Sequence, residues 1–190
     1  MKKSSIVLIV VIALVAMVAL WGIGTRNSLV SMEEEVRLEA SQISTQLQRR
    51  NDLIPNFVAT VKGYAEHEEE VFTAVTKARS KMSDALEEND VEAMNEANTE
   101  FNSAMRQLNV VVEAYPELKA NENFIALQDE LAGTENRITK ARQDYNEVVS
   151  SYNKQIKLFP KNIIASMCGF EQADYFEAEE GAEKVPTVEF

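Results

Sequence analysis

The sequence predicts an all-α protein: an N-terminal transmembrane helix followed by a four-helix, up-and-down (antiparallel) bundle of long helices. Two observations lead to this prediction. The 190 residues include only six glycines and four prolines, so few positions interrupt a helix. Apolar residues recur every three or four positions from residue 29 onward, and no stretch alternates with a period of two. We therefore expect helices and no sheet.

The first element is an uncharged run from Ile6 to Gly24, which follows two lysines. Its length as a helix is about 28 Å, close to the thickness of the hydrocarbon core of a bilayer. The run lacks the small-residue site at which a signal peptide is cleaved, and Trp21 stands where an interfacial aromatic residue belongs. We predict an uncleaved anchor over residues 1–25. More positive charge precedes the span than follows it, which favours a cytoplasmic N-terminus and a bundle outside the cytoplasm.

Residues 26–170 are predicted to form the bundle domain, whose first two helices meet near Pro55. Asp52 precedes this proline by three residues and has the position of an N-cap for a new helix. The alternative is one long helix that kinks at the proline. The second helix is predicted to end at Asn89, which has capping-box spacing to Glu92 at the start of the third helix.

The fourth helix has the clearest heptad pattern, which is typical of coiled-coil-like packing with shallow crossing angles. Its apolar positions are Phe124, Leu127, Leu131, Thr134, Ile138, Ala141, Tyr145, Val148, Tyr152, Ile156 and Phe159. Pro160 is predicted to end it. The stretch Phe159–Phe170 is expected to fold back as a hydrophobic plug on one end of the bundle, or to dock another membrane protein. Residues 171–190 are acidic and are predicted to form a flexible tail.

The units Tyr145–Asn146 and Tyr152–Asn153 lie seven residues apart, and therefore on the same face of the fourth helix. Tyrosines at heptad positions usually fill the core. The flanking asparagines are expected to set the register or to form hydrogen bonds with neighbouring helices, and a role in ligand binding is the alternative.

A single histidine and a single cysteine exclude most catalytic and metal-binding arrangements. A di-metal bundle needs two Glu-x-x-His pairs, and zinc needs several nitrogen or sulfur ligands. His67 and Glu70 form at best one adventitious site, and their simpler interpretation is solvated helix surface. Cys168 has no nearby base and is interpreted as a passive thiol. We predict no enzymatic activity, no cofactor and no metal, and the net charge of −12 argues against binding to nucleic acid.

Two blocks of the sequence, RRNDLIPNFVATVKGYAEHE and ANENFIALQDELAGTENRITKARQDYN, resemble the LemA family of bacterial membrane-anchored helical proteins. The later stretch FPKNIIASMCGF adds to this resemblance, which covers nearly the whole chain. It implies a four-helix bundle on a single span in the bacterial inner membrane. It implies no enzymatic activity.

These observations predict a non-enzymatic scaffold or interaction protein of the bacterial envelope, with membrane proteins or further copies of itself as partners. The first alternative is a sensory or ligand-binding bundle outside the cytoplasm, with a pocket lined by Tyr64, Tyr145 or Tyr152. The second is a metal enzyme built around His67. The candidate partner contacts are Arg49, Arg50, Asp52, Pro55, Asn56, Lys62, Phe159, Pro160 and Phe170.

Overall fold

The computed structural model describes residues 3–65, 67–88 and 90–176. The helices are α1 (Lys3–Lys62), α2 (Glu69–Glu88), α3 (Val91–Ala114), α4 (Pro116–Lys119), α5 (Glu122–Lys157) and α6 (Lys161–Cys168). The described residues contain no strand, which confirms the all-α prediction. Six helices are present instead of an anchor plus four, and the up-and-down bundle stays a prediction.

The chain divides into two compact units. The first unit combines Met1–Leu38 with Glu147–Ala173, and the second combines Glu39–Asn146 with Asp174–Phe190. The predicted domain boundaries after residues 25 and 170 stay predictions. α1 and α5 are uninterrupted helices that contribute residues to both units.

The N-terminal part of α1 is apolar on every side. Each residue from Ile6 to Trp21 is exposed, and burial on α1 begins only beyond them, with Thr25 and Leu29 in the first unit. In the described part of the chain, α1 is the one helix that is long and apolar enough to cross a membrane. Because a helix with a polar environment rarely has an apolar surface all round, this segment is a candidate membrane span.

Pro55 lies inside α1, and the predicted start of a new helix near Asp52 is wrong. Proline has no backbone N–H, so the carbonyl oxygen of Asn51, four residues earlier, loses its helical donor. The Nε of Arg79 on α2 donates to this oxygen at 3.3 Å. Asp52 accepts a hydrogen bond from the Gln48 side chain at 2.8 Å and does not act as an N-cap. The helix therefore continues to Lys62, and the chain turns between α1 and α2.

The core of the second unit is formed by one apolar stripe from each of its longer helices. Its largest members include Ile54, Phe57, Val61, Phe72, Val75, Phe101, Leu108, Leu118 and Phe124. α2 and α3 pack directly against each other, and Lys81 on α2 forms ion pairs with Glu96 and Glu100 on α3. The observed burial confirms the predicted apolar spacing along these helices.

The N-cap of α3 is Asp90, which accepts hydrogen bonds from the backbone N–H groups of Glu92 at 2.8 Å and Ala93 at 3.2 Å. The predicted cap, Asn89, lies outside the described residues. An aspartate at this position also places a negative charge beside the positive end of the helix dipole.

Replacement of Asp90 by alanine is expected to lower the free energy of unfolding by about 1 kcal/mol, because two N–H groups lose their acceptor. Urea unfolding of the full chain in detergent micelles measures this change. Asp84→Ala is the control, since Asp84 is exposed on α2 and caps no helix start. Equal losses for the two variants would contradict a capping role.

Candidate functional site

Most of the predicted contact residues on α1 are on its surface. The exposed ones are Arg49, Asp52, Pro55, Asn56 and Lys62. Their spacing places them on one side of the helix. Arg49 forms an ion pair with Glu130 of α5, so its guanidinium already has an intramolecular partner. The structure therefore places these five residues on one surface, on which Arg49 is already paired with Glu130.

Arg50 is not part of that surface, because its side chain is only 1% exposed. Its guanidinium donates to Glu135 at 2.7 Å and to the Asn98 side chain at 3.0 Å. The guanidinium carbon lies 4.0 Å from the centre of the Phe101 ring, which is a cation–π contact. The prediction of Arg50 as a partner contact is therefore corrected: this arginine links α1, α3 and α5 inside the second unit.

The burial of Arg50 could have been predicted from the spacing of apolar residues on α1. The apolar spacing of α1 runs through Ile43 and Leu47 and resumes at Ile54 and Phe57. Continuing the spacing of three and four through this gap places Arg50 on the buried stripe. Asn51 beside it is also buried, and its side-chain amide donates to Ser83 at 2.8 Å.

The predicted contacts at the end of α5 are exposed or partly exposed in the first unit. The Phe159 side chain is 80% exposed, Pro160 is exposed, and Phe170 is partly buried. The expected hydrophobic plug is not found, because Ala165 is the one residue of α6 that is fully buried.

His67 lies in the turn between α1 and α2 and is exposed, so the expected helical position for it is wrong. The neighbouring Glu66 lies outside the described residues. Among the residues that the structure does describe, no group of three or more His, Cys, Asp or Glu side chains is placed to hold a metal ion.

The extended segment Asp174–Phe176 is held in a cradle of side chains from α3 and α5. The cradle consists of Asn95, Arg142, Tyr145 and Asn146. The cradle donates hydrogen bonds to three successive backbone carbonyl oxygens. The Tyr145 hydroxyl donates to Asp174, the Asn95 side chain to Tyr175 and the Asn146 side chain to Phe176. Asn146 also accepts from the N–H of Phe176, and both of its bonds measure 2.9 Å. This pairing imitates the edge of a β-strand.

The ring of Phe176 is the only side chain of the segment that is buried in the cradle. It is 4% exposed, meets the Tyr145 ring edge-on at 5.2 Å and lies 5.5 Å from the Arg142 guanidinium. A flexible tail was predicted from residue 171 onward, and these contacts hold residues 174–176 against α5 instead. The remainder of that predicted tail, residues 177–190, lies outside the described residues.

Asn153 makes the same kind of contact in the first unit. Its side-chain amide donates to the carbonyl oxygen of Ala173 at 2.8 Å and accepts from the N–H of Ala173 at 2.9 Å. The asparagines of the two Tyr-Asn units thus bind the backbone of the following chain, where the sequence had suggested neighbouring helices. Both tyrosines are buried, as expected from the heptad.

A cavity of about 340 Å³ lies beside Tyr152 in the first unit. Its lining residues are Glu33, Val36, Arg37, Tyr152, Gly169, Glu171, Gln172 and Ala173. Burial, and then the charge of Glu33, raises the pKa of Tyr152, while Arg37 opposes this shift. Tyr64, a second predicted pocket residue, is on the surface, where its hydroxyl accepts from Asn121 at 2.9 Å.

The phenol of Tyr145 is expected to make stability depend on pH in alkaline solution. Burial, and to a smaller extent the charge of Asp174, raises the pKa of Tyr145 to about 12, against about 10 in an unfolded chain. The folded state therefore favours the protonated phenol, and this contribution to stability is lost as the pH rises from about 10 to about 12.

Between about pH 10 and pH 12, the unfolding free energy of Tyr145→Phe is expected to fall less than that of the wild type. At about pH 8, where both states are protonated, the variant should be less stable by about 1 kcal/mol because the bond to Asp174 is lost. Urea unfolding at several pH values measures both effects. Parallel pH profiles for the variant and the wild type would contradict the raised pKa.

Comparison with known proteins places these features in a family. A model of the LemA family matches residues 39–190. Magnetosome protein MamQ 2 of Paramagnetospirillum magneticum is 28% identical over an alignment of 174 positions, and the alignment covers 80% of this chain and 64% of that protein. Protein LemA of Metamycoplasma hominis is 27% identical over 160 residues, covering 83% of this chain and 71% of that protein.

Magnetosome protein MamQ of Magnetospirillum gryphiswaldense is 23% identical over an alignment of 173 positions, and the alignment covers 79% of this chain and 64% of that protein. This chain thus spans less than two thirds of the length of these MamQ relatives. Because the family model matches well over half of the residues, the chain belongs to the LemA family.

Proposed function

We propose that this protein is a non-enzymatic scaffold that α1 anchors in a membrane and that presents a helical surface to other proteins. The observation that carries the proposal is the exposure of every residue from Ile6 to Trp21 on a helix that also supplies buried residues. Thr25, Leu29 and Val36 of the same helix are buried in the first unit. No loop separates the apolar segment from these packed residues, so a membrane span would hold them directly at the bilayer surface.

The proposed location is the bacterial inner membrane, with the N-terminus in the cytoplasm and the rest of the chain outside it. Lys2 and Lys3 precede the apolar segment, and Arg26 alone follows it before the acidic Glu33–Glu35. This distribution agrees with the excess of positive charge on the cytoplasmic side of membrane spans. The net charge of −12 favours partners with basic surfaces.

The proposed contact surface is the exposed side of α1 that carries Asp52, Pro55, Asn56 and Lys62. None of these residues is needed for the core, so they are free to mediate contact without loss of stability. Other membrane proteins and further copies of this chain are the proposed partners. His67 and Cys168 are exposed and receive no catalytic role.

Site-specific photocrosslinking in intact membranes tests this function. A photoreactive phenylalanine analogue at position 56 or 62 is expected to give discrete adducts that mass spectrometry identifies. The same analogue at Lys77, which is exposed on α2, is the matched control. Reproducible adducts at 56 and 62 but not at 77 would support the proposed surface, whereas uncrosslinked monomer at all three positions would overturn it.

A second candidate function is the binding of a small polar ligand in the cavity beside Tyr152. It is favoured by the volume of about 340 Å³ and by a lining that combines a phenol, a guanidinium and carboxylates. Thermal shift measurements against a panel of polar metabolites test it. The candidate requires a stabilising compound whose effect disappears in Arg37→Ala, and the absence of any stabilisation would reject it.

A further inference from the structure

The short helix α6 lies against the apolar end of α1 within the first unit. A Cβ atom at Gly22 would be 3.5 Å from the Cδ1 atom of Ile164, which is ordinary van der Waals contact. Gly22 precedes Gly24, the end of the uncharged run, by two residues, and a helix rises 1.5 Å per residue. Ile164 therefore packs about 3 Å inside the end of the apolar segment.

The length of the apolar segment places this contact in the bilayer and not above it. The exposed stretch from Ile6 to Trp21 is about 24 Å long as a helix. A hydrocarbon core of about 30 Å needs roughly four more residues. Lys2 and Lys3 lie close before Ile6, whereas the uncharged run continues to Gly24, so these residues are best counted after Trp21. This places Gly22 and the residues that pack on it within the boundary of the hydrocarbon if α1 spans the membrane.

Large apolar side chains on α6 and on the turn before it are exposed to the surroundings. Phe159 is 80% exposed, Ile163 is 50% exposed and Met167 is 78% exposed. Ile163 and Met167 are four residues apart and therefore share one face of α6, and Phe159 lies in the turn that precedes the helix. Leu158 beside them is 44% exposed. Such a cluster of exposed apolar residues marks a surface that contacts another molecule or a membrane.

The charge around α6 differs from that of the rest of the chain. Residues 154–168 contain three lysines, Lys154, Lys157 and Lys161, and no acidic residue, although the net charge of the whole chain is −12. Lysines that flank exposed apolar residues bind anionic headgroups while their aliphatic stems lie along the apolar surface. The apolar side chains and the lysines together match the boundary between acyl chains and headgroups.

We propose that α6 and the preceding residues Leu158–Pro160 form a second membrane contact, which lies in the plane of the bilayer interface. Phe159, Ile163 and Met167 insert among the acyl chains, and the lysines contact phosphate groups of the lipid. The inference deepens the proposed function and rests on it only in requiring that α1 spans the bilayer. A second point of insertion fixes the rotation of α1 about its own axis, which a single span leaves free.

The single cysteine allows a direct test, because Cys168 is exposed at the end of α6. The full chain is labelled there with a polarity-sensitive fluorophore and reconstituted into vesicles of phosphatidylethanolamine and phosphatidylglycerol. We expect blue-shifted emission and loss of intensity when the vesicles contain lipids with a nitroxide near the headgroup. In the control, Glu34→Cys in a Cys168→Ser background, the label lies about 15 Å beyond Gly24 and should remain in water.

The double variant Phe159→Ser and Met167→Ser should lose the blue shift at Cys168. Both side chains are highly exposed, so we expect the helical circular dichroism of the variant to match that of the wild type. Extraction of the vesicles with alkaline carbonate separates the two proposals. Protein that resists extraction but carries a Cys168 label in water overturns the α6 contact and leaves the anchor intact. Protein that carbonate removes overturns the membrane span and the α6 contact together.

Discussion

Replacement of Arg50 by alanine is expected to lower the free energy of unfolding by about 3 kcal/mol. The buried oxygen of Asn98 would lose its donor, and the Phe101 ring would lose the guanidinium that lies 4.0 Å from its centre. Removal of the long side chain would also leave a cavity. Glu135 adds less to the loss, because its side chain is 46% exposed and water can replace the arginine.

The neighbouring Arg49 provides a matched control. Its side chain is 53% exposed and its ion pair with Glu130 lies at the surface, so Arg49→Ala should cost no more than about 0.5 kcal/mol. Urea unfolding of both variants in detergent micelles measures the difference. Similar losses for the two variants would show that the buried contacts of Arg50 contribute little. A partner-binding defect in Arg50→Ala without loss of stability would restore its original assignment as a contact.

Asn146→Ala is expected to release the segment Asp174–Phe176 from its cradle, with a local loss of about 2 kcal/mol. The substitution removes both hydrogen bonds to the backbone of Phe176. The buried ring of Phe176 and the bonds that Tyr145 and Asn95 donate to Asp174 and Tyr175 remain, but they no longer fix the backbone of Phe176. Because the opening is local, the remainder of the second unit should keep its stability.

Limited proteolysis with chymotrypsin and amide hydrogen exchange measure this release. The variant should be cleaved faster after Tyr175 and Phe176, and the Phe176 amide should lose its protection against exchange. Asn56→Ala is the control, since Asn56 is exposed on α1. An unchanged exchange rate at Phe176 would mean that the paired hydrogen bonds do not hold the segment.

The sequence pattern predicted the helices well wherever burial follows a regular spacing. In α5 the expected heptad residues Phe124, Leu131, Ile138 and Tyr145 are buried. The pattern failed at Pro55, because local propensity favoured a helix start there. A donor on another helix, Arg79, satisfies the carbonyl oxygen that the proline leaves free. Such a long-range contact has no local signature in the sequence.

The candidate sites were predicted less completely than the helices. Arg50 was predicted as a surface contact and is buried, whereas Phe159, for which a buried plug and a docking surface were both expected, is exposed. The arginine finds partners inside the core. Phe159 lies in the same unit as the apolar part of α1, where lipid can cover it. Its contacts within the protein therefore do not decide whether it is buried. The acidic composition of the tail gave no indication that asparagines bind its backbone, since backbone groups are the same in every residue.

The way in which Asn146 and Asn153 bind the chain has a consequence for how this region can evolve. Asn153 forms its hydrogen bonds to Ala173 with main-chain atoms, and the cradle forms its bonds to Asp174 and Tyr175 in the same way. The side chains at these three positions are therefore free to drift without loss of the contacts. The asparagines, in contrast, are constrained, because no other side chain combines their donor, acceptor and length. Selection should thus act on the amides that hold the segment more strongly than on the residues they hold.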